Sequence, residues 1–214
     1  MARHRWLILG TAAVGVVMVF AAAVLVTARP DLFSGPGGAS QCRAATAIQK
    51  ATAPLAEGPM AAFQTTTPVS LVDLPYGDGR TLSDFAGRTI LLNLWATWCA
   101  PCRAEMADLA QLQQRLGSDA FEVVAVSIDS NDANRPEDFL AETNAEALAY
   151  HREPTLALFN SLRTAGLALG MPTTLLVGSD GCVAGTLAGA APWGGPQAER
   201  LVRAALAADT GSGQ

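Results

Sequence analysis

Leu91 to Glu105 reads LLNLWATWCAPCRAE. Ile90 to Leu94 is a short apolar run, of the kind that makes a strand covered on both faces. Trp95 and Trp98 follow, then Cys99-Ala100-Pro101-Cys102. Beyond them Met106, Leu109, Leu112 and Leu116 recur at three- and four-residue steps, which predicts a helix. Two thiols three positions apart on the first turn of a helix share one face, so they can close and reopen a small disulfide ring. The helix start has unpaired N–H groups and partial positive charge, which favour a thiolate at Cys99. Such a setting brings a cysteine pKa from about 8.5 to roughly 3.5–7.5, and the thiolate is the form that exchanges. Pro101 fits the first turn, where its missing N–H has no partner to lose.

WCAPC after an apolar strand resembles the thioredoxin superfamily, and WATWCAPCRAEM resembles its membrane-anchored TlpA branch, over about Val69 to Leu206. The resemblance implies a thioredoxin-like α/β fold with an N-terminal extension and a central insertion. Two plainer readings compete. A single CxxC can be half of a zinc site, but such sites need a second pair or histidines at matching spacing. Only two other cysteines and two histidines are present, none in that pattern. Two cysteines serving as small apolar core residues would not explain the tryptophan flank. No metal and no cofactor are expected.

The chain has 214 residues, enough for one domain plus extras. Trp6 to Ala28 carries no charge, and about 20 apolar residues span a bilayer. Arg3, His4 and Arg5 precede this segment, so the positive-inside rule places the N-terminus in the cytoplasm and the remainder across the membrane. The expectation is a single-pass inner-membrane protein with residues 1–28 as anchor and a periplasmic catalytic domain. A cleaved signal peptide is the rival. Its apolar core is normally about 7–15 residues, and the candidate site Val26-Thr27-Ala28 is followed by Arg29-Pro30, a poor context for cleavage. Residues 29–41, containing DLFSGPGGA, read as a tether. Without Arg3 and Arg5 the exported part has 12 basic and 19 acidic residues, a net charge of −7. With no basic block, nucleic-acid binding has no support.

Along residues 42–208, the expected domain, Cys42 to Ala53 is helix-compatible, Ala56 to Thr67 reads as a loop, and Val69 to Leu74 as a strand before a Gly77-Asp78-Gly79 turn. Phe121 to Ile128, FEVVAVSI, predicts a strand, and strand–helix–strand implies a parallel, right-handed βαβ unit. A helix over Pro136 to Thr143 and a small strand over Leu148 to His151 fit the insertion that marks TlpA-like chains. Thr155 to Ala165 reads as a helix, Thr174 to Val177 and Cys182 to Leu187 as strands joined by Ser179-Asp180-Gly181, and Pro196 to Ala208 as an amphipathic helix. Asp209 to Gln214 reads as a disordered tail.

Proline just before a core strand cannot donate to a ladder, so Pro172 is either an ordinary loop proline or a special one. The resemblance implies a cis-proline facing the CxxC pair, shaping with Trp98, Met171 and Thr173 a ledge where a substrate backbone lies as an added strand. Export implies an oxidising compartment. Cys42 and Cys182 remain once the redox pair is assigned, and a structural disulfide is expected between them, stapling the N-terminal helix to the last hairpin. Two free thiols are the alternative. Plain thioredoxins carry an acid six residues before the first cysteine, and Asn93 departs from that pattern. Glu105, three residues past Cys102, matches an acid of the TlpA and cytochrome-maturation branches and is the candidate proton relay. Its plainer reading is a solvated first-turn acid favoured by the helix dipole.

The TlpA resemblance implies a dithiol reductant, acting as a monomer, recharged by a transmembrane electron donor. Its clients would be disulfide-bearing proteins, a copper chaperone or oxidase subunit in cytochrome oxidase biogenesis. The stretch ALGMPT and the extra Cys42/Cys182 pair strengthen that resemblance. A reductase of apocytochrome c thiols shares the same motif. A Cu(I)-binding chaperone would use Cys99 and Cys102 as soft ligands, although Pro101 and the tryptophans suit exchange better. A peroxidase is disfavoured, because WCAPC lacks the threonine-to-cysteine loop motif of peroxide-reducing relatives.

Overall fold

A computed structural model describes residues 42–211 apart from 78 and 132–135. The apolar segment 6–28 and the tether lie outside the described residues. Among the described residues, no helix is long and apolar enough to cross a membrane.

In chain order the elements are α1 (Arg43–Thr52), β1 (Phe63–Thr65), β2 (Pro75–Gly77), β3 (Arg80–Thr81), β4 (Thr89–Trp95), α2 (Ala100–Leu116), β5 (Phe121–Ser127), α3 (Pro136–Glu142), β6 (His151–Arg152), α4 (Ala157–Thr164), β7 (Thr173–Val177), β8 (Val183–Ala188) and α5 (Pro196–Gly211). Short 3₁₀ turns occupy Ala53–Leu55, Gly58–Met60 and Leu82–Phe85. The main sheet runs β1-β8-β7-β4-β5-β6, and β2-β3 is a separate hairpin. All of β4 is buried, the polar Thr89 and Asn93 together with its apolar residues. It pairs parallel with β5, from Thr89 opposite Phe121 to Trp95 opposite Ser127. On its other side it pairs antiparallel with β7, with Asn93 opposite Thr174 and Leu94 opposite Thr173. The register matters for the site, because it makes β7 begin where β4 ends.

Helix α2 buries Met106, Leu109, Leu112 and Leu116, the stripe read from their spacing. Trp95 stacks on Phe139 of α3 with ring centroids 4.8 Å apart. The Arg103 guanidinium lies 4.4 Å over the other ring, Phe139, so the insertion packs beside the start of α2. His151 is buried against Tyr76 and Phe85, edge-on to both, and burial lowers its pKa.

Four expectations about elements need correction. Val69 to Leu74 is not a strand. It makes an isolated bridge, Ser70 with Cys182, and isolated backbone bonds to the β7–β8 turn. The extra edge strand comes instead from the stretch read as loop, where Phe63–Thr65 pairs with Gly185–Leu187 of β8 and buries only Phe63. A strand this short has no period to read, and its pairing partner is far away in sequence. The small strand expected at Leu148 to His151 sits later, at His151–Arg152, where the register with Val126 and Ser127 admits it. The last helix does not stop at Ala208. It continues to Gly211, and the Asp209 carboxylate accepts from the Ser179 N–H at 2.9 Å, the Ser179 hydroxyl at 2.6 Å and the Thr89 hydroxyl.

Candidate active site

Cys99 is the N-cap of α2, and Cys102 lies in its first turn. The two sulfurs are bonded at 2.06 Å, and the Cys102 backbone N–H donates to Cys99 Sγ at 3.2 Å. That N–H is one of the donors a helix start leaves unpaired, so the same backbone group is in place to stabilise a thiolate at Cys99 once the ring opens. Cys99 is 5% exposed and Cys102 fully buried. The outer sulfur is therefore the one an incoming disulfide reaches.

The turn that carries Cys99 is held from β5. Asp129, just past the end of that strand, is buried and accepts from the Thr97 N–H at 2.9 Å and the Thr97 hydroxyl at 2.7 Å. Across the sheet the Met171–Pro172 peptide is cis. Since Thr173 pairs with Leu94, Pro172 leaves the sheet at the end where β4 hands over to Cys99. Pro172 accepts from the Gly189 N–H at 2.8 Å, which ties its loop to the end of β8. Trp98 is 67% exposed and Leu169 83% exposed, with Met171 half-buried between Leu169 and Pro172 in sequence. Thr173 plays a different part from the surface role expected of it. Its side chain is fully buried and its hydroxyl donates to Gly170 O at 2.6 Å, so it shapes the loop from within.

Glu105 is 1% exposed, so it is not a solvated first-turn acid. Its Oε1 accepts from Asn93 Nδ2 at 2.8 Å, and its Oε2 from the Ala191 N–H and Trp193 Nε1, each at 3.0 Å. Burial raises its pKa to about 7, against the lowering influence of these three donors. A carboxyl poised near neutrality, one helical turn from the buried cysteine, suits general acid–base work. Asn93 also donates to Thr174 Oγ1 at 2.9 Å.

Cys42 and Cys182 are joined, with Cα atoms 5.5 Å apart. The Asp180 carboxylate reinforces the staple by accepting from the Ala44 N–H at 2.8 Å and the Ala45 N–H at 3.2 Å. It thus caps α1 from the β7–β8 turn. Among the described residues no group of three or more His, Cys, Asp or Glu side chains is arranged to hold a metal ion. Asp129, Thr174 and Trp193 belong to the site without a local motif to mark them, and Thr97 lies within WATWCAPC with nothing in the motif to show its bond to Asp129. The buried Trp193 follows Pro192 in a loop that shows no periodicity.

Residues 62–203 match the Redoxin family. Among curated relatives, the thiol-disulfide oxidoreductase ResA of Oceanobacillus iheyensis is 45% identical over 51 residues, 24% of this chain and 27% of that protein. The thioredoxin-like protein YneN of Bacillus subtilis is 46% identical over 54 residues, 25% of this chain and 31% of that protein. Each match thus spans less than a third of the relative's own length. A crystal structure of a putative thiol:disulfide interchange protein DsbE from Chlorobium tepidum superposes with a TM-score of 0.51 at 30% identity, covering 67% of this chain and 96% of that one. A second thiol:disulfide interchange protein, from Chlorobium tepidum TLS, has a TM-score of 0.50 at 24% identity over 66% and 94% of the two chains, a likeness of fold.

Proposed function

The chain belongs to the Redoxin family and has a thioredoxin-like α/β fold, and on that premise we propose that it is a thiol–disulfide oxidoreductase that reduces disulfides in protein substrates. The observation that carries this reading is the Cys99–Cys102 ring at the start of α2, with the Cys102 N–H directed at Cys99 Sγ.

The reaction balances as two exchanges. In the reduced enzyme the Cys99 thiolate attacks one sulfur of the target disulfide. A mixed disulfide forms, and the other target sulfur leaves as a thiolate. Cys102 gives its proton to the Glu105 carboxylate and attacks Cys99 Sγ, closing the ring and releasing the second target thiolate. Two electrons pass to the target, and its thiolates take up two protons. Pro172, Trp98 and Met171 form the rim on which the target's backbone lies beside Cys99.

We further propose that residues 6–28 anchor the chain in the inner membrane, that the catalytic domain works as a monomer in the periplasm, and that a transmembrane donor recharges it. The clients on this reading are copper-handling proteins of cytochrome oxidase assembly. The support is the apolar segment behind Arg3, His4 and Arg5 together with the TlpA-type motif.

Equilibration of the full chain with glutathione tests the direction. A potential near −270 mV or lower identifies a reductant, and one near −120 mV an oxidase of exported thiols. Cys102→Ser should trap the client as a mixed disulfide on Cys99. Recovery of apocytochrome c in place of a copper-handling protein would move the chain to cytochrome c maturation. Stoichiometric Cu(I) binding without disulfide exchange would favour the chaperone reading.

A further inference from the structure

We propose that Trp193 is a positioning residue that assigns the transferable proton of Glu105 to Oε1. The proposal rests on the relay role given to Glu105 above and adds which oxygen works and what decides it.

The two carboxylate oxygens have different neighbours. Oε2 accepts from the Ala191 N–H and from Trp193 Nε1, both at 3.0 Å. A backbone amide and an indole nitrogen donate only. A proton placed on Oε2 would meet two donors and no acceptor, in a setting where Trp193 is fully buried. Oε1 has one partner, Asn93 Nδ2, at 2.8 Å. A carboxamide has both a donor and an acceptor end, and the acceptor end of Asn93, Oδ1, is buried without a partner. Turning this amide end for end brings Oδ1 opposite Oε1, where it accepts from a protonated carboxyl. The Thr174 hydroxyl, which accepts from Asn93 Nδ2 at 2.9 Å, can then donate to Oδ1 instead. The Oε1 side can therefore offer the carboxyl proton an acceptor, at the cost of turning Nδ2 toward the position where Oδ1 had no partner, while the Oε2 side offers only donors.

The loop that presents Trp193 is itself held. The Trp193 N–H donates to Ala191 O at 2.9 Å, and Arg115 of α2 donates to Gly194 O at 2.8 Å. Besides Glu105, α2 carries Arg103, Asp108 and Arg115, and α5 carries Glu199, Arg200, Arg203 and Asp209. Asp108 acts on Glu105 in the raising direction, and Arg115 is paired with Glu199 at 3.2 Å. The neighbours on β4 and β7, Asn93 and Thr174, carry no charge.

The test uses the full chain in reduced form and 5,5′-dithiobis(2-nitrobenzoate). Attack by Cys99 releases one thionitrobenzoate, and attack by Cys102 on the mixed disulfide releases the second, so the second phase reads the resolving step across pH. Trp193 is replaced by β-(3-benzothienyl)alanine, which keeps the bicyclic ring and puts sulfur in place of Nε1–H; Trp193→Phe is the genetic counterpart. Loss of a donor to the anion raises the midpoint of the second phase by about one pH unit, since a hydrogen bond to a charged group is worth roughly that much. The rate below the midpoint falls about tenfold. An unmoved midpoint, with Glu105→Gln abolishing the pH dependence, overturns the role of Trp193 while leaving the relay intact. An unmoved profile in Glu105→Gln overturns the relay and this proposal with it. Nitrogen-15 NMR of the Asn93 side chain checks the oxygen assignment. Its Nδ2 resonance should shift as Glu105 titrates, and a resonance constant across that range places the proton elsewhere.

Discussion

Asn93 donates from Nδ2 to Oε1 of Glu105 across 2.8 Å, so the residue six positions before Cys99 and the residue three positions after Cys102 meet in the core. The place where plain thioredoxins hold an acid is thus still part of the site. It supplies a neutral partner to an acid brought in from the helix. One carboxyl is brought near neutrality in this arrangement chiefly by burial, with Asp108 adding a lesser push in the same direction.

Asn93→Asp would put two carboxyls in hydrogen-bond contact. Like charges that close cannot both ionise, so the pair should titrate in two steps, one of them above the present value of about 7. Urea unfolding at pH 5 and pH 8 should show the variant losing about 2 kcal/mol more than wild type over that interval. Parallel losses in the two proteins would count against a close pair.

Glu105 makes stability depend on pH in a defined window. Its folded pKa of about 7 exceeds the ordinary value of 4.5. Below 4.5 both folded and unfolded chains hold the proton and the contribution is complete. From 4.5 to about 7 the unfolded chain releases it while the folded chain does not, so stability falls as pH rises, by about 3 kcal/mol in all. Glu105→Gln should flatten that stretch of the curve and be the more stable protein at pH 8, while resolving mixed disulfides more slowly. A variant curve that keeps the wild-type slope would refute the assignment of this titration to Glu105.

Helix α1 is attached twice to the β7–β8 turn, by the Cys42–Cys182 bond and by the Asp180 carboxylate on the Ala44 and Ala45 N–H groups. Removing the bond as Cys42→Ser with Cys182→Ser should cost about 2–5 kcal/mol. Asp180→Ala should cost about 1–2 kcal/mol. Because both hold the same helix, the triple variant should lose less than the sum of the two. Free alkylation of Cys42 in the unreduced protein would show that the staple is absent.

The last turn of α5 is structural. Asp209→Ala leaves the Ser179 N–H and the Thr89 hydroxyl without their acceptor, at a cost of about 2–4 kcal/mol. Ending the chain after Ala208 should cost at least as much, and ending it after Gly211 no more than about 0.5 kcal/mol. Equal melting temperatures for the two truncations would make Asp209 dispensable.

The legible parts of this protein are those whose cause is local. The strand–CxxC–helix order, the buried stripe from Met106 to Leu116, the βαβ crossover and the β7–β8 hairpin follow from periods and turn residues within short windows. Cis Met171–Pro172 and a relay role for Glu105 are implied by the family resemblance alone, since spacing leaves a loop proline and a surface acid equally open. The three-residue β1, loop-like in its own pattern, pairs with β8, while the strand-like run from Val69 to Leu74 makes an isolated bridge. A short segment's own pattern does not say which edge will accept it.

By itself the sequence determined the pair of sulfurs, the element that carries them and the class of chemistry they can do. Only the tertiary structure decided the state of the acid behind them. Asn93, Ala191 and Trp193 lie 12, 86 and 88 residues from Glu105, and folding brings all three onto one carboxyl while excluding water from it. Desolvation and the placing of donors are properties of the packed interior, so a pKa near neutrality arises from packing and is not written in the residues beside Glu105.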